Sequence, residues 1–524
     1  MPNVEIIGDG APGPFLGPMD LNPDSLRYIL GLKLRSYRQE RGWGLKDVAK
    51  ATGMSVSYLS EIEKGRKYPK PDKIHQLAQA LEVPFETLMS PRLDDELRPV
   101  RELFNSTFLQ EFPFHLFGIE PEALVGLVTE VPSKAGALLS TVLEIGRTYG
   151  VRVEHLLFAA LRSYQQLNDN YFEDIEDAAA ELLRERGWSD RHWIGEEELR
   201  ELLESEHGIE VDDQTLLQEP DLSSLRSVWI DGPRPRLLIN GRLIPSQRAF
   251  ALGRELGYLR LGLSERSRTS TYINVESFDQ VIHDFKAAYF SGALLIQRDL
   301  LSLEMEAFFR RDRWAPREFL GLLRRFRTTP ETFFYRLSQL LPSRFGLDTM
   351  FFVRFANRTG SNHFDLTKIL NMSRLPIPLG IEPNERYCRR WSGLQMLKGL
   401  AMQQAGGATR NEPGVGIQRS TFGATPSSDE GEFLTFTLTR PLVLSDDEST
   451  SVNLSFLVSD QLMRKVRFWD DPAIPTSEVG ITCERCGIHE CLERAAAPVY
   501  FGARQRQKRQ EAALADLLRR QRRA

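Results

Sequence analysis

All four cysteines of the chain fall late: Cys388, then Cys483, Cys486 and Cys491. The last three form C-x-x-C-x-x-x-x-C within "TCERCGIHECLERAAAP", and Cys388 sits in "YCRRW". Two thiolates three residues apart on a turn reach one metal centre without strain. A third nearby and a fourth from a distant segment complete a four-sulfur set. An iron–sulfur cluster and a structural zinc both fit this count, and spacing alone does not separate them. His489, between Cys486 and Cys491, is placed to replace one ligand. Arg389, Arg390 and Arg485 would offset thiolate charge. So few cysteines in 524 residues do not make a disulfide framework.

A second group of residues suits nucleic-acid recognition: Leu45, Ser55, Val56, Ser57, Glu61, Lys64, Arg66 and Lys67. The elements that must position them read as short helices. Leu45, Val48 and Ala49, then Leu59 and Ile62, then Ile74, Leu77, Ala78 and Leu81 recur at helical spacing. Gly53 suits a tight helix–helix turn, Ser55 caps the next helix, and Lys64-Gly65 ends it. Pro69 and Pro71 keep the following loop extended until Asp72 caps another helix. The core "A-x-x-x-G-x-S-x-S-Y-L-S-x-I-E-x-G" over 49–65 resembles the Cro/C1 (XRE) type of helix-turn-helix. The resemblance implies five helices, with the helix from Ser55 in the major groove of operator DNA. Val56, Ser57 and Glu61 would then face base edges; Lys64, Arg66 and Lys67 would meet phosphates.

A third stretch carries altered chemistry. In "RPRLLINGRLIPSQRAFALGRELGYLRLGL", Leu237–Ile239 reads as a strand, Asn240-Gly241 as a turn, and Pro245 as the first turn of a helix. This resembles the ImmA/IrrE metallopeptidases, whose helix carries H-E-x-x-H with a glutamate as general base. The matching residues here are Arg254, Glu255, Leu256, Gly257 and Tyr258. Arginine cannot be deprotonated to ligate zinc, and tyrosine is a poor substitute for imidazole. In "HDFKAAYFSGALLIQ", which resembles the second helix of that fold, Asp284 is the only acid at the third ligand position. The scaffold is expected without its metal, with Glu255 a structural acid paired to a basic neighbour, and no enzymatic activity.

The head, the degenerate middle and "CERCGIHECLERA" together resemble the short-chain fatty-acyl transcriptional regulators. That resemblance implies a [4Fe–4S] cluster at Cys388, Cys483, Cys486 and Cys491 and a CoA-type effector. Leu492 stands where the family pattern has proline.

The expected fold class is multidomain and mainly α, with an α+β regulatory part. The five-helix head spans 25–92 after a flexible tail, 1–24. Residues 93–205 read as a helical linker holding a dimer contact. A degenerate peptidase-like domain (206–310), a C-terminal α+β domain bearing the cysteines (311–500) and a basic tail (501–524) follow. Phe433–Thr439 and Val452–Val458 read as antiparallel strands, Met350–Phe355 as another, and 405–432 as loop. Within "TTPETFFYRLSQLLP" the aromatics argue for a buried helix. The net charge of -5 does not exclude DNA, because only the docking face's local field matters. No apolar run approaches a membrane span and the N-terminus lacks a signal-peptide pattern, so a cytoplasmic homodimer or higher oligomer on operator DNA is the expectation.

Overall fold

In the computed structural model the described residues are 23–90, 153–270, 275, 277–373, 375–378, 385–406, 413–422 and 431–521. Residues 1–22 of the expected flexible tail and most of the expected dimer region, 93–152, lie outside them, and Pro23-Asp24 opens the first helix. Two compact units divide between Tyr164 and Gln165.

The first unit holds the head. Helices α1 (Pro23–Glu40), α2 (Leu45–Thr52), α3 (Val56–Glu63), α4 (Pro71–Ala80) and α5 (Phe85–Met89) enclose one apolar core. Leu34, Val48, Leu59, Ile62, Ile74 and Leu77 fill it. Gly53 ends α2 in the left-handed region at φ 70°, where a side chain would strain the backbone. A Cβ on Gly31 would sit 2.5 Å from the Ile62 carbonyl oxygen, so only glycine lets α1 lie this close to α3. Arg38 locks the same pair, donating to both Glu63 oxygens at 2.7 and 2.9 Å. One detail differs from expectation: α4 starts two residues earlier, with Lys70 rather than Asp72 as N-cap and Pro71 in the first turn. Proline's fixed φ already suits a first turn, so Asp72 lies inside it, where a carboxylate favours the helix dipole. Helix α6 (Val153–Leu167) runs up to and past the division.

The second unit begins with α7 (Glu173–Glu185) and α8 (Glu196–His207). The expected linker therefore ends earlier than 205, because α7 is packed into this unit. Phe172 meets Phe285 and Tyr289 edge-on at 5.4 and 5.5 Å. Buried Glu176 takes both oxygens onto Arg336, at 2.5 and 2.8 Å, and a hydrogen bond from the Tyr289 hydroxyl at 2.8 Å. A small sheet follows, with β1 (Glu210–Asp212), β2 (Ser227–Ile230) and β3 (Arg236–Ile239) in the order β1-β3-β2. Helices α9 (Pro245–Arg260) and α10 (Phe278–Leu295) pack against each other. Small residues permit it: a Cβ on Gly257 would lie 2.8 Å from the Ala287 carbonyl oxygen.

Helices α11 (Arg298–Phe309), α12 (Pro316–Arg325) and α13 (Pro330–Phe345) lead to a six-stranded sheet. Its strands are β4 (Met350–Arg358), β5 (Asp365–Asn371), β6 (Gly414–Thr421), β7 (Glu432–Pro441), β8 (Glu448–Leu457) and β9 (Thr476–Glu478), in the order β5-β4-β8-β7-β6-β9. On one face Phe352 and Phe436 meet Tyr335, Trp314 and Phe319. On the other, Phe351, Val353, Phe355 and Phe433 share a core with Tyr387, Trp391 and α14 (Ser392–Ala405). Helix α15 (Asp460–Lys465) precedes β9, and α16 (Val499–Gln521) ends the described chain, with its side chains after Gly502 exposed. The expected basic tail is thus a helix that begins at Val499. Strand β6 corrects the expectation of loop over 405–432. Gly414 and Gly416 weaken the strand preference of Val415, Ile417 and Thr421, and pairing with β7 and β9 supplies the rest.

Candidate functional site

Three places carry the residues singled out above. In the head, the Ser55 hydroxyl accepts the Tyr58 backbone N–H at 3.1 Å and so starts α3. Leu59 and Ile62 point into the core, which turns Val56 and Ser57 to solvent. Glu61 is half-buried and pairs with Lys67 at 2.7 Å, and that bond raises the Lys67 ammonium above its ordinary value. Lys67 also lies 5.9 Å from the Tyr58 ring centre. Lys64 caps the C-terminus of α3, and Lys64 and Arg66 are exposed beside it. Leu45 differs from the rest: it opens α2 half-buried against the head's core. The group is therefore one exposed helix face followed by a basic turn, which is a surface that fits a groove and its phosphates.

At the α9–α10 contact the three residues matching metal ligands do come together, around a guanidinium. Arg254 Nη1 lies 3.1 Å from Asp284 Oδ1, and the Tyr258 hydroxyl donates to the same oxygen at 3.2 Å. Glu255 is 1% exposed and is met by Arg266 at 2.8 Å and by Arg254 at 3.6 Å. Burial pushes its carboxyl above the ordinary range, and the two arginines pull it back only in part. Arg266 continues outward over the Tyr258 and Trp229 rings, at 4.4 and 3.9 Å. A fixed positive charge thus takes the role of the metal cation in holding the acids together. Arg254 itself cannot be deprotonated to ligate a metal.

The cysteines gather at one end of the C-terminal domain. The segment before α14 bridges to the C-x-x-C turn through Tyr387 and Thr482, with Cys388 N–H donating to Ile481 and Cys483 N–H to Arg386 at 3.0 and 2.8 Å. The Ala495 N–H points at the Cys483 sulfur, 3.3 Å away. Cys388, Cys483 and Cys486 are buried and Cys491 is half-buried. Burial pushes the Cys388 thiol up to about 11 and the Cys486 thiol also upward, each with a contribution from neighbouring cysteines. A Cβ on Gly480 would sit 2.9 Å from the Cys486 sulfur, so this glycine keeps space beside it. Among the described residues, no three His, Cys, Asp or Glu side chains are set as placed to hold a metal ion. In donor chemistry four soft sulfurs, three of them (Cys388, Cys483 and Cys486) met by backbone N–H groups, are of the type a thiolate-ligated centre uses.

The surrounding charges differ from expectation. Arg485 is committed to Glu385, donating at 2.7 and 2.9 Å. Arg389 feels Cys483 and Cys388, and Arg494 feels Cys486 while donating to the Cys483 carbonyl at 3.1 Å. Arg494 lies within the cysteine motif, but its partners are set by the turn it closes. His489 faces Phe501, with ring centres 6.4 Å apart.

Two family models match parts of the chain. A family described as a helix-turn-helix domain matches residues 29–89, and the IrrE N-terminal-like domain matches 205–338. The HTH-type transcriptional regulator SutR of Escherichia coli is 38% identical over 13% of this chain and 38% of its own length. An uncharacterized HTH-type transcriptional regulator of Sinorhizobium fredii, y4dJ, is 35% identical over 13% of this chain and 86% of its own. The HTH-type transcriptional regulator RamB of Mycobacterium tuberculosis is 24% identical over 44% of this chain and 50% of its own. The chain thus spans half or less of the length of SutR and RamB.

Proposed function

We propose that this chain, which belongs to the HTH-type transcriptional regulators, binds operator DNA through α3 and adjusts that binding through its C-terminal domain. The observation that carries the reading is the division of α3 into buried Leu59 and Ile62 and exposed Val56 and Ser57. Such a helix is held rigidly by its core while its outer face is left to a groove. One head reads one half-site, so the operator is a palindrome and the working species a homodimer or higher oligomer. No described helix is long and apolar enough to cross a membrane. The middle domain keeps a peptidase-like scaffold and acts without peptidase chemistry, because Arg254 stands in the ligand position.

The four cysteines would hold an iron–sulfur cluster, with [4Fe–4S] the form the sequence resemblance implies; zinc is the alternative. The cluster would supply redox-sensitive cross-linking of the turn to the segment before α14. An acyl-CoA ester is the proposed effector, and it shifts operator affinity by binding one arrangement of the heads better than another. Anaerobic purification with metal analysis and a visible spectrum tests the centre. About four irons per chain, lost in Cys486→Ser, supports the cluster; colourless zinc supports a structural clip. Operator titration of the intact chain with and without propionyl-CoA then tests the effector, and unchanged affinity in every redox state would remove the sensing half of the proposal.

A further inference from the structure

Helix α16 is seated on the thiol turn by its first residues. The Tyr500 and Phe501 N–H groups donate to the Glu484 carbonyl at 3.0 and 3.2 Å, and a Cβ on Gly487 would lie 2.5 Å from the Phe501 ring. From Ala503 to Gln521 every side chain is exposed. Leu514, Leu517 and Leu518 are 56, 49 and 51% exposed, so three large apolar groups close together stand in water. Burial would stabilise them, and their own chain does not provide it.

Their spacing is that of a two-stranded coiled coil. Ala503, Gln507, Gln510, Leu514, Leu517 and Gln521 recur at alternating steps of four and three residues, which makes one seam along the helix. Leu514 then takes an a position and Leu517 a d position. Lys508, Arg509 and Arg519 fall on the far side. The flanking charges fit a second helix of the same sequence. In a parallel pair the g position of one helix lies opposite the next e position of the other. Arg506 is at g and Glu511 at the following e, so two Arg506–Glu511 contacts form by symmetry. Ala513 and Leu518 stand in the same relation and widen the apolar contact. Within its own chain Glu511 accepts from the neutral Gln507 amide at 2.9 Å, whereas Asp516, the other acid of α16, is paired with Arg520 at 2.5 Å. A polyanion would meet the basic side of α16 and leave the leucines in water; a second α16 covers them.

We infer that α16 pairs in parallel with α16 of a second copy of this chain, through Leu514, Leu517 and Leu518, with Arg506 and Glu511 fixing the register. The inference deepens the homodimer reading by naming a surface that holds it, and it brings the two thiol turns to the same end of the pair.

Sedimentation of the intact chain over a range of concentrations tests it. Leu517→Lys should raise the dimer dissociation constant by about tenfold or more, because two lysines would face each other in the seam. Arg506→Glu should raise it by about fivefold, since Glu511 would then meet a like charge, and Arg506→Glu with Glu511→Arg should restore most of the parent value. The substituted side chains are exposed, so circular dichroism of each variant should match the parent. A parent that stays monomeric removes both the inference and the homodimer reading. A dimer that Leu517→Lys leaves unchanged overturns the inference alone, and so does a double reversal that recovers nothing. Unchanged dimerisation with weaker DNA binding in Leu517→Lys would assign this face to nucleic acid instead and overturns it as well.

Discussion

Single residues divide here into those that touch a partner and those that hold a site shut. Lys64 ends α3 with its side chain exposed, so its charge is available to a phosphate and carries no base information. Lys64→Ala should therefore weaken binding to all DNA sequences alike and lower the salt slope by about one counterion, read from affinity at several salt concentrations. Loss confined to one operator would contradict that placement. Arg254 is the opposite kind of residue. Removing its guanidinium leaves Asp284 and Glu255 buried with less counter-charge, and Arg254→Ala should cost about 3–5 kcal/mol in a denaturant melt. A loss below about 1 kcal/mol would mean that the acids do not depend on it.

At the scale of elements, the close approach of α1 to α3 decides how firmly the reading helix is held. Gly31→Ala would push a methyl against the Ile62 and Glu63 carbonyl oxygens, 2.5 and 2.8 Å from the new Cβ. The backbone must shift, and the head should lose about 1–3 kcal/mol while its exposed face stays unchanged. Melting the parent and variant side by side checks this; equal stability would mean α1 can move away freely. Much at this scale was legible beforehand. The Ser55 cap, the Gly53 turn, Pro245 opening α9 and the alternating residues of β7 and β8 are local signals, readable because neighbours in sequence make them. Strand β6 was not legible, since its partners β7 and β9 create it. The cap of α4 lies two residues before the expected Asp72, which is a good cap in isolation. The ring of Arg254, Asp284 and Tyr258 was half legible: the missing histidines showed, whereas the replacement ion pair joins residues 30 apart in α9 and α10, from Arg254 to Asp284. Arg494 stood in the cysteine motif, but its role at the thiol turn was not legible, because an arginine's use is set by what the fold brings to it.

At the scale of the whole molecule, the second unit is fastened by buried ion pairs, which makes its stability depend on pH. Burial pushes the Glu176 carboxyl up, but Arg336 and the Tyr289 hydroxyl outweigh it and leave it below its ordinary 4.5. A carboxyl lowered on folding contributes stability that is fully present above its unfolded value and is lost as pH falls through its folded value. The intact chain should therefore begin to lose stability below about pH 4.5, with α7 detaching from α13. Melts from pH 7 to pH 3 that show no decline would contradict the pairing as a stabiliser. The central claim is that α3 reads bases. Selection of DNA from a random pool by the intact chain, run beside Ser57→Ala, tests it most directly. The expected result is an enriched inverted repeat whose preference relaxes at one base position per half-site in the variant. No enriched sequence, or the same sequence with preference lost evenly across it in Ser57→Ala, would contradict it.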